Sequence, residues 1–510
     1  MTLRVISTPL GAKGLTRAAL SGSAPESWYI SRPRGADEWR ARADRIRAGL
    51  AVDDWLTSLA AALQATGPAA ERLKAASQHG FVVTAGQQPS LFGGPLYTWW
   101  KALSVLAFAD ALEKATGLPV APVFWAATDD SDFVEAASTV VATTEGAQRI
   151  QLAHIDDPGL PLSRIPLGDV TAQLATLRAA AGSAPHAEIL EAVARAYARD
   201  ETIGSSFVAL LREALAPLGV AVLDASHQAV RNAGRAVLHT ALERAAEVEA
   251  ALMTRDAELE QAGFASQVKT VRGRSLVFTF ANDRRVRVSI AHARDAERRG
   301  DSVELSPNVL LRPIVEQSIL PTVAYLGGPA EIAYFAQVGA VADALGTERP
   351  LILPRWSGMV VEPRIQKLLD RHSLSPSDFT DPHAVETRLA KESLPPEVQS
   401  RIEALQRTVE AEISALAARD HSGLVSARIT EGLRRNFLHR VERLERRYTA
   451  AIKRRGNEAL HDAASVRAAL YPFGVPQERA LNGVPLLARY GNELFDSVMA
   501  ETRPHADSLV

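Results

Sequence analysis

The segment FVVTAGQQPSLFGGPLYTWWKA, residues 81–102, decides the fold class of this chain. It runs from a short apolar stretch, typical of a buried strand, through glycines and amides into a long stretch with apolar residues at helical spacing. Pro95 stands where the helix should begin, because a proline at the first helical position gives up only a donor that would be unpaired anyway. We expect the helix from about Leu96 to Ala115, Gly117 as its C-cap, and VAPVFWAAT as a second buried strand. The segment therefore predicts a strand–helix–strand crossover.

A second segment of the same design lies far downstream, from Pro321 to Trp356. Like the first, it has a strand pattern, Gly-Gly-Pro, a helix ending in Ala-Asp-Ala-Leu and a following strand, here LILP. The stretch GVAVLDA, from Gly219, is a third strand candidate. Two such crossovers predict an α/β fold with a partly parallel sheet, which binds ligands at the carboxyl ends of its strands.

A hairpin pattern separates the two crossovers. The stretch SLVFTFANDRRVRVSIA, from Ser275 to Ala291, alternates as two paired strands do, with Asn282 and Asp283 in the turn. We interpret it as part of a small β-rich insertion.

The C-terminal third is helical in pattern and highly charged from Pro395 to about Leu460. Its two apolar stripes are Ile402, Leu405, Val409, Ile413 and Leu416, then Phe437, Val441, Leu444, Tyr448 and Ile452, with Gly423 near the break. These spacings favour a short coiled coil or helical hairpin that packs against itself or a partner chain. The basic run from Arg434 to Arg455 is interrupted by Glu442 and Glu445, which is typical of a solvated face.

These patterns divide the chain into three expected parts. Residues 1–380 would form the core, with the β-rich insertion at about 260–312. Residues 381–465 would form the helical coiled-coil region, and residues 466–510 a C-terminal segment that packs back on the core.

Composition bounds the function. The 510 residues suffice for a large core, and 57 Lys and Arg against 59 Asp and Glu give no overall attraction to nucleic acid or to an anionic membrane. The absence of cysteine excludes disulfides, thiolate metal sites and a catalytic thiol. The N-terminus lacks the apolar region of a signal peptide, and the most apolar helix is interrupted by Lys101 and Asp110. We expect a cytoplasmic protein with neither nucleic acid nor membrane as a partner.

The first candidate site is the junction between strand and helix. Helix N-termini attract anions, and glycine lets a ligand approach the backbone. The candidate binding residues there are Gly86, Gln87, Gln88, Gly93, Gly94 and Tyr97. The segment is neither a Walker A sequence nor G-x-G-x-x-G. A close strand-to-helix turn explains the glycines equally well.

The second candidate site is the acidic stretch ATDDSDFVE at the end of the next strand. Asp129, Asp130, Asp132 and Glu135 would repel one another unless a cation, an ammonium group or solvent neutralised their charges. The alternative is an acidic helix N-terminus, which the helix dipole favours.

The third group of candidates belongs to the second crossover. Glu331 follows Gly327, Gly328 and Pro329, and Tyr334 and Gln337 continue its helix face. Just upstream, Arg312 suits a carboxylate or phosphate, although a structural ion pair with Glu316 is as good an interpretation. The twelve histidines show no H-E-x-x-H pattern and no readable Ser-His-Asp order, so the sequence supports neither a metal hydrolase nor a serine hydrolase.

Several segments together resemble the bacillithiol biosynthesis cysteine-adding enzymes. They are VVTAGQQPSLFGGPLYTWWKA, PVFWAATDDSDF, LRPIVEQSILPTVAYLGGPAEIAYFAQ, LILPRWSG and PQERALNGVPLLARYG, in that family's order. The resemblance implies a Rossmann-like core related to nucleotidyltransferases, a C-terminal coiled coil and a homodimer formed through the helical region. Ala85 and Ser131 depart from the family pattern, which has a threonine directly before the glycine and a histidine within the acidic motif.

The resemblance also implies a reaction, the addition of cysteine to glucosaminyl-malate through an amide bond. A carboxylate is a poor electrophile, so ATP or ADP are candidate cofactors, while any role of Mg²⁺ stays open. The loop from Gly86 to Pro95 would hold phosphate or carboxylate oxygens. Asp129, Asp130 and Asp132 would hold the ammonium group of the amino acid or Mg²⁺ as catalytic residues, and Glu331, Tyr334 and Gln337 would complete the pocket.

Two other functions remain open at this point. One is a non-catalytic nucleotide- or metabolite-binding protein whose helical region docks partners. The other is a nucleotidyltransferase that acts on another small molecule.

Overall fold

The computed structural model describes residues 3–153, 159–298, 303–381, 383–420, 423–456 and 458–510. Residues 299–302 of the expected insertion lie outside these ranges. Backbone contacts divide the chain into a larger unit, residues 2–141, 148–360 and 478–510, and a smaller unit, residues 142–147 and 361–477.

The strands are short and numbered in chain order. They are β1 (Arg4–Ser7), β2 (Phe81–Gln87), β3 (Val120–Ala126), β4 (Ser138–Thr143), β5 (Gly146–Gln151), β6 (Ala221–Asp224), β7 (Arg274–Ala281), β8 (Arg284–Ser289), β9 (Leu305–Pro307), β10 (Thr322–Gly327), β11 (Ile352–Pro354) and β12 (Gly358–Val361).

The helices dominate the fold. They are α1 (Gly14–Leu20), α2 (Gly35–Ala48), α3 (Trp55–Leu63), α4 (Gly67–His79), α5 (Leu96–Thr116), α6 (Phe133–Ala136), α7 (Thr171–Ala181), α8 (Ala187–Ala196), α9 (Ile203–Leu215), α10 (Gln228–Glu243), α11 (Ala245–Gln261), α12 (Ala293–Arg298), α13 (Arg312–Ile319), α14 (Pro329–Leu345), α15 (Pro363–Arg371), α16 (Ala384–Glu392), α17 (Pro396–Arg419), α18 (Ala427–Arg455), α19 (Glu458–Leu470), α20 (Gln477–Ala480), α21 (Val484–Tyr490) and α22 (Asn492–Asp507).

A five-stranded parallel sheet forms the centre of the larger unit, in the order β11-β10-β2-β3-β6. Its strands are continuous apolar runs because helices cover both faces of a parallel sheet. β2 and β10 are buried along almost their whole length, and helix α5 buries residues on every side. Both predicted crossovers are present, β2-α5-β3 and β10-α14-β11, and the α/β fold is confirmed. The carboxyl ends of β2, β3 and β10 consequently meet at one edge.

The predicted hairpin is present as β7 and β8. Asn282 and Asp283 take φ values of 51° and 63°, as the tight turn between two twisted strands requires. β9 pairs antiparallel with the other side of β7. Val277 and Val288 anchor this small sheet in a core that also contains Leu252 of α11.

The smaller unit is helical. Helices α17 and α18 pack on each other, and Arg434 of α18 lies 3.4 Å from the carboxylate of Glu410 on α17. Gly423 lies in their connection, as expected. Phe437 and Tyr448 of the second stripe are 46% and 43% exposed, so apolar surface of α18 faces solvent in the single chain. None of the helices in the described ranges combines the length and the apolar composition that a bilayer span requires.

Candidate functional site

A cavity of about 700 Å³ lies in the larger unit at the carboxyl edge of the central sheet. The end of β2 and the start of α5 form one wall, and the segment after β3 forms the next. The start of α14 and residues of the β-rich insertion complete it. The side-chain nitrogens of Gln88 and Trp125, both lining residues, are buried without a hydrogen-bond partner in the described part of the chain. Such unpaired groups are costly in a closed core unless a water, an ion or a ligand supplies the missing partner.

The end of β2 supplies backbone as well as side chains to the cavity. The Gly86 N–H donates to the hydroxyl of Tyr325 at 3.0 Å. A Cβ at Gly86 would lie 3.0 Å from the Trp125 carbonyl oxygen, so a larger residue would require β2 and β3 to shift by a few tenths of an ångström. The Gln87 amide donates to the Tyr97 hydroxyl at 3.1 Å and accepts from Lys101 at 3.0 Å, which fixes its orientation.

Lys101 joins the two crossovers at the floor of the cavity. Its ammonium donates to the Gly86 carbonyl at 2.6 Å and to Gln87, and it lies 2.7 Å from the Glu331 carboxylate. All three donors of the ammonium are therefore used. Burial acts to raise the pKa of Glu331, but Lys101 and the Gly328 N–H outweigh it and lower that pKa. Burial lowers the pKa of Lys101 even though Glu331 opposes the shift.

Glu331 also caps its own helix. Its carboxylate accepts the Gly328 N–H at 2.7 Å from the third position of α14. Glu331 therefore caps α14 and lines the cavity at the same time, because one of its carboxylate oxygens contacts both Gly328 and Lys101.

The acidic stretch after β3 faces a guanidinium group from the insertion. Arg285 lies 3.5 Å from Asp129 and 3.9 Å from Asp130. Partial burial, and secondarily the charge of Asp129, raise the pKa of Asp130, with Arg285 opposing. Ser131 lines the cavity and donates its N–H to Asp130 at 2.7 Å. Asp130 is thus a carboxylate that accepts a proton more readily than an exposed aspartate.

Arg312 and Tyr334 lie together in the same cavity wall. Arg312 pairs with buried Glu316 at 2.5 Å and donates to the Tyr334 hydroxyl at 3.2 Å. Its guanidinium stacks 4.8 Å over the Tyr325 ring. Arg312 therefore forms the expected structural ion pair with Glu316 and also lines the cavity.

The structure brings most of the predicted site residues together. Ten of them line the cavity: Gly86, Gln87, Gln88, Tyr97, Asp129, Asp130, Arg312, Gly328, Glu331 and Tyr334.

Five predicted residues have other surroundings. Gly93 and Gly94, with φ values of 79° and 74°, make the turn into α5, where a Cβ would lie 2.9 Å from Trp99 and Ser90 respectively. Gly327 packs where a Cβ would lie 2.6 Å from Ile352. Gln337 is buried and binds Asp256 and the backbone of Val268 instead. Asp132 caps α6 by accepting the Glu135 N–H at 3.1 Å.

Other residues line the cavity but were not predicted as site residues from the sequence. They are Lys101, Tyr325, Lys269, Arg285, Arg287, Arg355 and Arg479. The sequence signal for Lys101 is a charged residue within an otherwise apolar helix, a pattern that argues against a membrane span and also marks a buried ion pair. For Arg285 and Arg287 it was their alternation in the hairpin, which places both on one face of β8. Among the described residues, no group of three or more histidine and acidic side chains is arranged to hold a metal ion.

Comparison with known proteins gives two adjacent matches, and the second extends past the smaller unit into residues 478–508 of the larger one. Residues 24–356 match the family described as bacillithiol biosynthesis BshC, N-terminal Rossmann-like domain, and residues 358–508 match the C-terminal coiled-coil domain of the same family. The protein named "Putative cysteine ligase BshC" of Solibacter usitatus (strain Ellin6076) is 33% identical over 476 residues, 89% of each chain. A protein of the same name from Koribacter versatilis (strain Ellin345) is 30% identical over 82% of this chain and 81% of its own.

Proposed function

The chain belongs to the bacillithiol biosynthesis BshC family, and from this premise we propose that it is a cysteine ligase. The proposed reaction joins the carboxyl group of cysteine to the amine of glucosaminyl-malate, forming a carbon–nitrogen amide bond.

The charge distribution of the cavity carries the proposal. Asp129 and Asp130 lie in one part of its lining, where carboxylates suit an ammonium group. Arg355 and Arg479 lie near the ring of Tyr97, with guanidinium carbons 5.9 Å and 6.0 Å from its centre. One cavity therefore offers surroundings for an amine and for anionic oxygens, which an amide-forming ligase must bring together.

Asp130 has the properties of a proton acceptor in this reaction. An amine attacks a carbonyl carbon only after losing its extra proton, and the raised pKa of Asp130 makes its carboxylate a better base. The amine nitrogen then forms the new bond to the cysteine carbonyl carbon. The leaving group departs with one former carboxylate oxygen.

Carboxylate activation is the step for which ATP is proposed as a co-substrate. ATP would supply the phosphoryl or adenylyl group that makes the carboxylate a good electrophile. Arg479, which has no carboxylate within ion-pair distance among the described residues, fits its phosphates. Arg355 offers only its Nε, which is buried without a hydrogen-bond partner, because Glu478 accepts from both of its terminal nitrogens. The N-terminus of α14 does not fit a phosphate directly, because Glu331 already accepts the Gly328 N–H.

Thiol profiling of cells with and without the gene tests the function. Loss of bacillithiol and accumulation of glucosaminyl-malate in the deletion strain, both reversed by the wild-type gene, is the expected result. Unchanged thiols would contradict the ligase assignment and favour a binding protein or a transferase for another small molecule. A strain carrying Asp130→Asn, with normal protein abundance, should behave like the deletion.

We further propose that two copies associate through the helical unit. The exposed apolar residues of α18, Ile429, Leu433, Phe437, Leu444 and Tyr448, support this assembly. They recur at intervals of four and seven residues, so they lie along one side of the helix.

A further inference from the structure

Seven basic side chains line the cavity of the larger unit, and they differ in what neutralises them. Four are paired with a carboxylate: Lys101 with Glu331, Arg285 with Asp129, Arg312 with Glu316, and Arg355 with Glu478. The other three, Lys269, Arg287 and Arg479, have no carboxylate within 4.0 Å in the ranges that the structure describes. Two of these three, Lys269 and Arg287, belong to the β-rich insertion.

Arg287 is held in place by the hairpin. It lies directly opposite Phe278 in the pairing of β7 with β8, and its guanidinium carbon is 5.7 Å from the centre of that ring. Arg285, two residues earlier on the same face of β8, lies 4.3 Å from the same ring. Arg285 is occupied by the acidic stretch, the Ser306 hydroxyl and the Pro307 carbonyl. Arg287 has none of these partners and faces the cavity beside it.

The position of Arg287 is electrostatically unfavourable without a ligand. Partial burial, and secondarily the charge of Arg274, lower the pKa of Arg287. Its Nε is buried without a hydrogen-bond partner among the described residues. An anionic oxygen at this position would provide both the missing countercharge and the missing acceptor.

We propose that Arg287 and Lys269 form a subsite for an anionic, oxygen-rich group of the molecule that accepts the amino acid. This inference rests on the proposed function, because it assigns opposite ends of the acceptor to different parts of one cavity. The carboxylates of Asp129 and Asp130 attract its amine and repel its anionic group, whereas Arg287 and Lys269 do the reverse. The two parts thereby orient the acceptor with its amine at the reacting end.

Carboxylates of the acceptor and phosphates of a nucleotide share the chemistry that this subsite recognises. Calorimetric titration of the full-length protein distinguishes them with four probes: glucosaminyl-malate, methyl α-glucosaminide, L-malate and ATP. Methyl α-glucosaminide has the amine without the carboxylates, and L-malate has the carboxylates without the amine. The variants are Arg287→Gln and Lys269→Gln, with Arg287→Lys to keep the charge.

We expect each glutamine variant to weaken glucosaminyl-malate and L-malate binding about tenfold or more, while methyl α-glucosaminide and ATP bind as before. Arg287→Lys should recover part of the loss. Arg272→Gln is the matched control, since it removes an exposed arginine of the same insertion that does not line the cavity. Thermal melting of every variant shows whether the fold is kept.

Three results would overturn the inference. The first is an unchanged affinity of Arg287→Gln for glucosaminyl-malate and L-malate, or a loss no larger than that of Arg272→Gln, which would show that Arg287 forms no subsite. A loss confined to ATP would assign the subsite to nucleotide phosphates rather than to the acceptor. A wild-type protein that bound none of the anionic probes would remove it as well. If wild type bound L-malate through Arg287 but not glucosaminyl-malate, the proposed ligase function would fail while the anion subsite stood.

Discussion

The ammonium nitrogen of Lys101 lies 2.7 Å from a carboxylate oxygen of Glu331, and this ion pair joins the first crossover to the second at the floor of the cavity. Lys101 belongs to α5 and Glu331 to α14. The same ammonium binds the Gly86 carbonyl and Gln87, so it also fixes the end of β2. The lysine is therefore a positioning residue for the end of β2 and the start of α14.

We predict that Lys101→Met destabilises the protein by about 3–5 kcal/mol, because it leaves the Glu331 carboxylate buried without its cation. Adding Glu331→Gln to it should recover part of that loss. Urea denaturation followed by circular dichroism measures both. Lys114→Met, which removes an exposed lysine of the same helix, should change stability by less than about 0.5 kcal/mol. Equal losses in the two lysine variants would contradict the role of the ion pair.

We predict that Asp130→Asn abolishes product formation while making the folded protein more stable at pH 7. A carboxyl group whose pKa is raised by folding contributes stability below its unfolded pKa, and this contribution is lost as pH rises through the folded pKa. The wild type is therefore penalised at neutral pH, and the uncharged amide removes that penalty. Thermal melting at pH 7 and pH 4 should show an advantage of the variant that shrinks at the lower pH.

Asp132→Asn serves as the control for this prediction. Asparagine keeps the oxygen that caps α6, and Asp132 lies outside the residues that line the cavity. Cells carrying Asp132→Asn should make product at close to the wild-type level. An inactive Asp132 variant together with an active Asp130 variant would reverse the roles assigned to the two carboxylates.

We predict that Gly86→Ala impairs the site and destabilises the fold by about 1–3 kcal/mol, as overpacking does. Its Cβ would lie 3.0 Å from the Trp125 carbonyl oxygen and 3.3 Å from the Tyr325 hydroxyl, so neighbouring strands must shift. Gly432→Ala is the contrasting change, since nothing lies within 4 Å of its added Cβ on α18. It should stabilise the chain by about 0.5–1 kcal/mol. Chemical denaturation of both variants checks the opposite signs, and a neutral Gly86→Ala would show that the strands tolerate the methyl group.

The sequence predicted the crossovers and placed Gly86, Asp130 and Glu331 at one edge, because apolar runs define strands and parallel strands end together. It could not separate binding glycines from packing ones. Gly93 sits against Trp99, a contact that depends on how the turn folds. Lys101 was missed as a site residue because its partner comes from a distant part of the chain. Periodicity reports which residues share a face, but not which face another element covers.

Gln337 was predicted to line the cavity but does not, because the sequence pattern does not show which elements cover each face of its helix. It shares a helix with Glu331 and Tyr334, yet its amide binds Asp256 and the backbone of Val268 rather than facing the cavity. A polar residue in an apolar helix thus predicts a buried partner, while the identity of that partner depends on tertiary structure.

The last prediction concerns the exposed stripe of α18. Phe437→Glu should convert a two-chain assembly into single chains at the same concentration, because a carboxylate cannot be buried in an apolar interface without a partner. A central aromatic residue of this kind contributes about 2 kcal/mol or more to association, so its removal weakens the association of the two chains at least about thirtyfold. Light scattering coupled to size-exclusion chromatography should give twice 54.8 kDa for the wild type and 54.8 kDa for the variant. Val475→Glu makes the same chemical change at an exposed residue outside α17 and α18 and should leave the mass unchanged. A wild type that ran as a single chain at all concentrations would rule out the assembly, and dissociation by both variants would show that the stripe is not its specific contact.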